Sequence, residues 1–251
     1  MEAGVGPKYY GRFKNGRIEG FLEGYRTLEP QDLRDTTIGN RIAVEMARMH
    51  KAIPAEGEAV MWKQLQDFLQ QAKAASFKEG SAEAKQFSEI DLKWVEDEIE
   101  ELRPLLKPSF GKVFCHNDLL AGNIMEDPSS GKLQLIDFEY GGTNFRGFDM
   151  ANHFNEWAGG TDNGYPDYTK VPSEDQMRTW IAKYLDAAGE NMSELQAVLD
   201  EVKVFLPLNH IFWSLWAVNM ADAEGCQEFP YLTYTQNRLG QFKVCKSALA
   251  P

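Results

Sequence analysis

Cysteine is scarce in this chain. Cys115, Cys226 and Cys245 are its only three, they stand far apart, and none belongs to a C-x-x-C pair or a Cys/His cluster. Neither a disulfide framework nor a zinc site is therefore suggested, and a reducing compartment fits. Positive charge is also short: 26 Lys and Arg against 38 Asp and Glu leave a net charge of -12. Phosphate-rich surfaces select basic patches, so neither nucleic acid nor an anionic membrane is expected as the main partner. A cationic substrate would be welcome, although the bulk of the charge is read more simply as serving solubility. Long apolar runs are missing as well. Nothing approaches the roughly eighteen residues of a transmembrane segment, and the opening MEAGVGPKYYGRFKNGRIEG holds no signal-peptide core, so a cytoplasmic protein is expected.

What is present is ample material for a core. Hydrophobic residues make up 43% of the chain, with 15 Phe, 9 Tyr and 6 Trp, enough to bury one large domain or a domain and a half. Residues 8 to 22, KYYGRFKNGRIEGFL, flank Asn15-Gly16 with aromatic and β-branched residues, which predicts a hairpin. A lone hairpin is marginal in water and must lie on something. From Pro30 the period turns helical: Asp35 or Thr36 can cap, Ile38, Ile42, Met46 and Met49 share a face, and Pro54 ends the run. Further amphipathic helices are predicted over 60 to 77 and 87 to 106. Lys112 to Cys115 reads as a strand, residues 127 to 131 as a turn, and Leu133 to Ile136 as a second strand. Helical spacing resumes after Gly147 and closes at Gly159-Gly160. Helices are expected near 173 to 188, 193 to 220 with Pro207 inside, and 231 to 247.

The run from Val113 to Tyr140 carries the chemistry. His116, Asp118 and Asn123 stand in the spacing H-x-D-x-x-x-x-N, and after a turn comes Ile136-Asp137-Phe138. These spacings place a base and two magnesium ligands on neighbouring loops. Phosphoryl transfer asks for an aligned hydroxyl and for neutralised charge, with little covalent work by protein. Asp118 is the candidate base. Asn123 and Asp137 offer hard oxygen ligands of the kind Mg2+ prefers. His116 is read as structural, bonding backbone to hold its loop.

CHNDLLAGNIM, LIDFEY and NFRGFDMANHFNEW resemble the choline/ethanolamine kinase family, with GRIEGFL, HIFWSLWA and EFPYLTYTQNR extending the likeness from about Pro7 to Val244. The resemblance implies an α+β, protein-kinase-like fold whose C-terminal lobe is mainly helical. It implies ATP as co-substrate, Mg2+, and transfer of phosphate to choline or ethanolamine, a small amino alcohol, as a first step of phospholipid head-group synthesis. Carried over by position, it assigns Asp118 as base, Asn123 and Asp137 to magnesium, and Tyr140, Glu156, Trp213, Trp216 and Tyr234 to the amine, with Phe229 or Tyr231 nearby. Asp149 would brace the catalytic loop, and Arg146 would pair with a carboxylate in a supporting shell. Physics fits the assignment: a quaternary ammonium donates no hydrogen bond, and aromatic faces in a dry cage hold it by about 2 kcal/mol each. Without the likeness, Trp213 and Trp216 at helical spacing read as core, Glu156 as a helix-surface carboxylate, and Asp149 as a helix N-cap.

The family's nucleotide clamp has a glycine-rich loop and a strand lysine. The chain holds no G-x-G-x-x-G and no G-x-x-x-x-G-K-[ST], and Gly4-Val5-Gly6 runs into Pro7. The expectation is a chain that begins late in the N-terminal lobe, residues 1–24 being a hairpin remnant and hinge and 25–251 the catalytic lobe. Exposed apolar hairpin surface then predicts association, a homodimer being one form, or poor solubility. Three functions stay open: the amine kinase, an inactive lobe that only binds a cationic amine, and an aminoglycoside-type phosphotransferase. GRIEGFL and RTLEPQDLRD look closer to choline-directed members than to ethanolamine-directed ones.

Overall fold

The structure, a computed structural model, describes residues 4–249. Strands β1 (Tyr9–Phe13) and β2 (Gly16–Glu19) pair antiparallel, with Phe13 opposite Gly16. The turn thus falls on Lys14-Asn15, one residue earlier than the Asn15-Gly16 step suggests. Gly16 answers a different demand: a β-carbon there would lie 2.7 Å from the Phe13 ring, which folds across it. The hairpin is a sheet by itself. Tyr10, Phe13, Ile18 and Phe21 on it are each more than half exposed.

Five helices, two 3-10 turns and two small sheets build the part of the chain from Arg26 to Phe145. β3 (Arg26–Thr27), β5 (Ile124–Glu126) and β6 (Leu133–Leu135) form one antiparallel sheet in the order β3-β5-β6. β4 (Lys112–Cys115) pairs with β7 (Gly142–Phe145), Cys115 lying opposite Gly142. A short α1 (Pro30–Leu33) precedes α2 (Thr36–Ala52), whose first turn is capped by Asp35 accepting from the Ile38 N–H at 2.9 Å. α3 (Val60–Ala74) follows. The helix predicted over 87 to 106 is in fact two, α4 (Ala82–Ser88) and α5 (Leu92–Leu102). Ser81 caps the first and Asp91 the second, so the chain restarts its backbone hydrogen bonding at Asp91 instead of running through.

α6 (Arg146–Asn155), α7 (Glu174–Ala188), α8 (Leu195–Glu224) and α9 (Tyr231–Ser247) complete the fold, with Pro207 inside α8. The architecture is α+β and mainly helical, with a small N-terminal hairpin. α8 is its axis. Val198, Val202, Phe205, Leu208, Ile211, Phe212, Leu215 and Val218 are all buried, and the helix packs against α3, α6, α7 and α9. Its middle, from Phe205 to Val218, is apolar on nearly every side and so lies inside, and each such buried side chain contributes about 1.5–3 kcal/mol by leaving water. α6 can approach this axis because residue 147 is glycine: a β-carbon there would lie 2.5 Å from Glu201 Cγ and 2.9 Å from the Phe205 ring. The Gly147 N–H instead donates to Glu201 Oε1 at 2.9 Å. Arg146 pairs with Glu190 at 2.6 Å and with the same Glu201 at 3.5 Å. No helix among the described residues is long and apolar enough to cross a membrane.

Candidate active site

Strand β4 delivers His116, Asn117 and Asp118 to one face of the helical body, and β6 delivers Ile136 and Asp137 beside them. Two turns of the backbone re-aim the side chains: Asn117 (φ 67°) and Asp137 (φ 59°) are the only non-glycine residues with positive φ among those described. Asn and Asp tolerate this left-handed region better than other side chains, and such strain persists only where the surroundings hold it. Asn117 is held on every side. Its N–H donates to Asp149 Oδ1 at 2.7 Å, its Nδ2 donates to the Tyr140 carbonyl at 2.7 Å, and its Oδ1 accepts from Asn144 Nδ2 at 2.7 Å.

Asp149, fully buried in the first turn of α6, binds the loop further. Its Oδ2 accepts from the His116 N–H and from His50 Nε2, both at 2.9 Å. Burial would raise this carboxyl, but the bonds it accepts from His50 and from the His116 N–H hold it below the usual carboxylate range. The helix N-cap is Phe145, so Asp149 is not the cap. His116 Nε2 donates to the Ile136 carbonyl at 2.8 Å, tying the Asp118 loop to the Asp137 loop. Burial pushes the imidazole down, so it sits there neutral.

Asn123, at the end of a short 3-10 turn (Ala121–Asn123), directs its amide nitrogen to Asp118, reaching the backbone carbonyl at 2.8 Å and Oδ2 at 3.1 Å. Its Oδ1 accepts no hydrogen bond among the described residues, which leaves that oxygen for another partner. Asn123 is joined to the second loop through the Ile136 N–H, which donates to its carbonyl at 3.0 Å. The Asp137 carboxylate is half exposed, with Arg17 of the hairpin 3.6 Å away. An amide oxygen and a carboxylate are hard donors, and the pair fits magnesium. Asp118 is pushed well above the usual carboxylate range, first by burial and then by the charges of Glu156, Asp137 and Glu139, against the pull of the Asn123 bond.

Asp118 opens onto a cavity of about 260 Å³. Tyr140, Glu156, Trp213, Trp216 and Tyr234 all line it, as do Phe229 and Tyr231. The rings meet edge to face: Tyr140 and Trp213 at 5.3 Å, Trp213 and Trp216 at 5.5 Å, Trp216 and Tyr231 at 5.7 Å between centroids. Their polar tips are occupied. Trp213 Nε1 donates to Asn152 Oδ1 at 2.7 Å and Trp216 Nε1 to Tyr140 Oη at 2.9 Å. Burial, with the Glu139 charge beside it, pushes the Tyr140 phenol up to about 12, so it stays neutral.

Three participants escape a reading of the sequence. Glu139 and Thr161 also line the cavity. Glu139 sits inside the LIDFEY motif, between Phe138 and Tyr140. Arg238, only 1% exposed, lies behind the cage paired with Glu156, itself 4% exposed, so Glu156 is not a helix-surface residue. A buried carboxylate needs a counter-charge, and Arg238, one helical turn after Tyr234, supplies it.

A family model described as choline/ethanolamine kinase matches residues 1–243. A probable ethanolamine kinase of Arabidopsis thaliana is 38% identical over 252 residues, covering 97% of this chain and 65% of that protein. Probable choline kinase 3 of the same plant is 34% identical, covering 98% of this chain and 70% of that protein. Among solved structures, an ethanolamine kinase of Plasmodium vivax superposes with a TM-score of 0.84 at 27% identity, over 98% of this chain and 70% of that one. The chain therefore spans 65–70% of the length of these relatives. With that match along nearly its whole length, and with a protein-kinase-like fold, the chain belongs to the choline/ethanolamine kinase family.

Proposed function

We propose that this chain binds choline or ethanolamine and supplies the base for its phosphorylation by ATP. The observation that carries the reading is one cavity that joins Asp118 to a cage of aromatic rings and carboxylates. An amino alcohol has a cation at one end and a hydroxyl two carbons away, and the cavity offers each its counterpart. Ring faces of Trp213, Trp216 and Tyr234 with the Glu156 carboxylate suit the ammonium; the Asp118 carboxylate suits the hydroxyl.

In this reading the hydroxyl oxygen attacks the γ-phosphorus of ATP, the bond from that phosphorus to the β–γ bridging oxygen breaks, and ADP leaves. The hydroxyl proton passes to Asp118. Burial is the main cause that holds the Asp118 carboxyl up; a cation entering between Asp118, Glu139 and Glu156 offsets the further push from the neighbouring carboxylates, so the substrate itself favours the ionised base. Asn123 Oδ1 and the Asp137 carboxylate would hold a magnesium ion, which when bound neutralises charge on the phosphates. His116 and Asp149 keep the two loops in register. On this reading residues 1–24 are the hairpin and hinge of the N-terminal lobe and residues 25–251 the catalytic lobe, the first three and last two residues lying outside the described ones.

Calorimetry of this chain with choline and with ethanolamine tests the cage, and coupled ADP release with ATP and magnesium tests transfer. Heat with at least one amine is expected; no heat with either sinks the reading. Asp118→Asn should leave amine binding in place and lower turnover about 10²–10⁴-fold. Turnover that survives the change would remove Asp118 from the role of base. Amine heat from a chain that releases no ADP would favour the binding module over the enzyme.

A further inference from the structure

A buried arginine behind a pocket for a cation looks self-defeating, and Arg238 is such a residue. Its guanidinium donates from Nη2 to Glu156 Oε1, from Nε and Nη2 to Tyr234 Oη at 2.9 and 2.5 Å, and from Nη1 to His210 Nδ1 at 3.4 Å. Every one of these partners is itself buried. The guanidinium carbon lies 5.0 Å from the centre of the Tyr234 ring. His210 is kept neutral by burial and by Arg238, so it accepts from the guanidinium and adds no second positive charge.

We propose that Arg238 is a positioning residue that fixes the charge and the aromatic wall of the amine cage, and so sets how strongly the site prefers a cation to a neutral molecule of the same shape. The inference rests on the amine-binding reading above. Its logic is geometric. The guanidinium fork occupies the hydroxyl of Tyr234 and one oxygen of Glu156, so the cavity meets the ring of the one and the remaining oxygen of the other. Tyr234 follows this arrangement because it lies one turn before Arg238 on α9; Glu156 comes from the 3-10 turn after α6, so the fork also joins two elements. Loss of Arg238 leaves Glu156 buried without its counter-charge and Tyr234 without its anchor, the arrangement in which a buried pair is costliest. Replacing both partners by neutral residues is far better tolerated.

The test is a double-variant cycle on this chain, read by calorimetry with choline and with its uncharged carbon isostere, 3,3-dimethylbutan-1-ol. The quantity is the ratio of the two affinities. Arg238→Met should lower the ratio about tenfold, whereas in an Glu156→Gln background the same change should move it less than about twofold. A merely structural loss weakens both ligands together and leaves the ratio alone. An unchanged ratio in Arg238→Met, or an equal change in both backgrounds, overturns the proposal. If Arg238→Met does not fold, Arg238→Lys takes its place in the cycle. It keeps a charge beside Glu156 but cannot fork to Tyr234, and a wild-type ratio in that variant likewise overturns the role of the fork. Wild-type chain that binds neither choline nor ethanolamine fails the amine reading; wild-type chain that binds with an Arg238-insensitive ratio fails only this proposal.

Discussion

Asp149→Asn is the perturbation that most directly probes how the catalytic loop is held. Three donors converge on its two oxygens: the N–H groups of His116 and Asn117 and Nε2 of His50. Asparagine has the same shape but one oxygen. If that oxygen takes the Oδ2 position, it serves His116 and His50 and turns its amide nitrogen on the Asn117 N–H; in the other orientation two donors lose their partner. At least one hydrogen bond to a charged acceptor is lost, worth about 1.5–3 kcal/mol, and a buried donor is left facing another donor. The expected loss of stability is about 2–4 kcal/mol. Urea unfolding followed by tryptophan fluorescence measures it, and amide hydrogen exchange at His116 and Asn117 shows whether the loss is local. Both amides should exchange faster, because the left-handed turn at Asn117 depends on them. Protection unchanged at these two amides, or a stability loss under about 1 kcal/mol, would refute the view that Asp149 braces the loop.

His153 gives a pH dependence with a definite sign. It is fully buried with Nδ1 against the Leu119 carbonyl at 3.2 Å, and burial pulls it down to about 4. A histidine whose folded value lies below its unfolded value of about 6.5 stabilises the fold fully above that value, and the contribution fades as pH falls from there toward 4. That fading amounts to about 3 kcal/mol, and His153→Asn should flatten the slope of unfolding free energy against pH over that window; an unaltered slope would refute the assignment. Gly147→Ala should cost about 1–3 kcal/mol in thermal or urea unfolding, since the added methyl meets Glu201 and Phe205 at 2.5 to 2.9 Å; a neutral outcome would mean that α6 and α8 can part.

Elements with a long, strong period were legible in the sequence: α2, α7 and α9 lie within a residue or two of where spacing and caps put them. Strands β5 and β7 were not: they are as short as β4 and β6, but IME ends in a charge and GTNF holds Gly and Asn, both depleted in strands, so neither stands out as an apolar run. The break at Asp91 was hidden by apolar residues that continue on both sides of it, so only the cap betrays it. For the site, motif spacing named residues that the fold then gathers around one cavity, although it could not say how they are held. Asn117 illustrates the limit: its identity is compatible with a left-handed turn, but the demand for that turn comes from Asp149, Tyr140 and Asn144, which are distant in the chain. Arg238 illustrates another, since nothing in a helical repeat distinguishes a buried arginine from an exposed one until its partner is seen.

Tyr140 touches both ends of the site. Its carbonyl accepts from the Asn117 side chain next to Asp118, and its hydroxyl accepts from Trp216 across the cavity. One rigid ring thus works as a gauge between the two ends. On the proposed function, an amine headgroup that displaces Trp216 would pull on the same residue that bonds Asn117 beside Asp118, so a misfitting amine is expected to lose turnover as well as affinity.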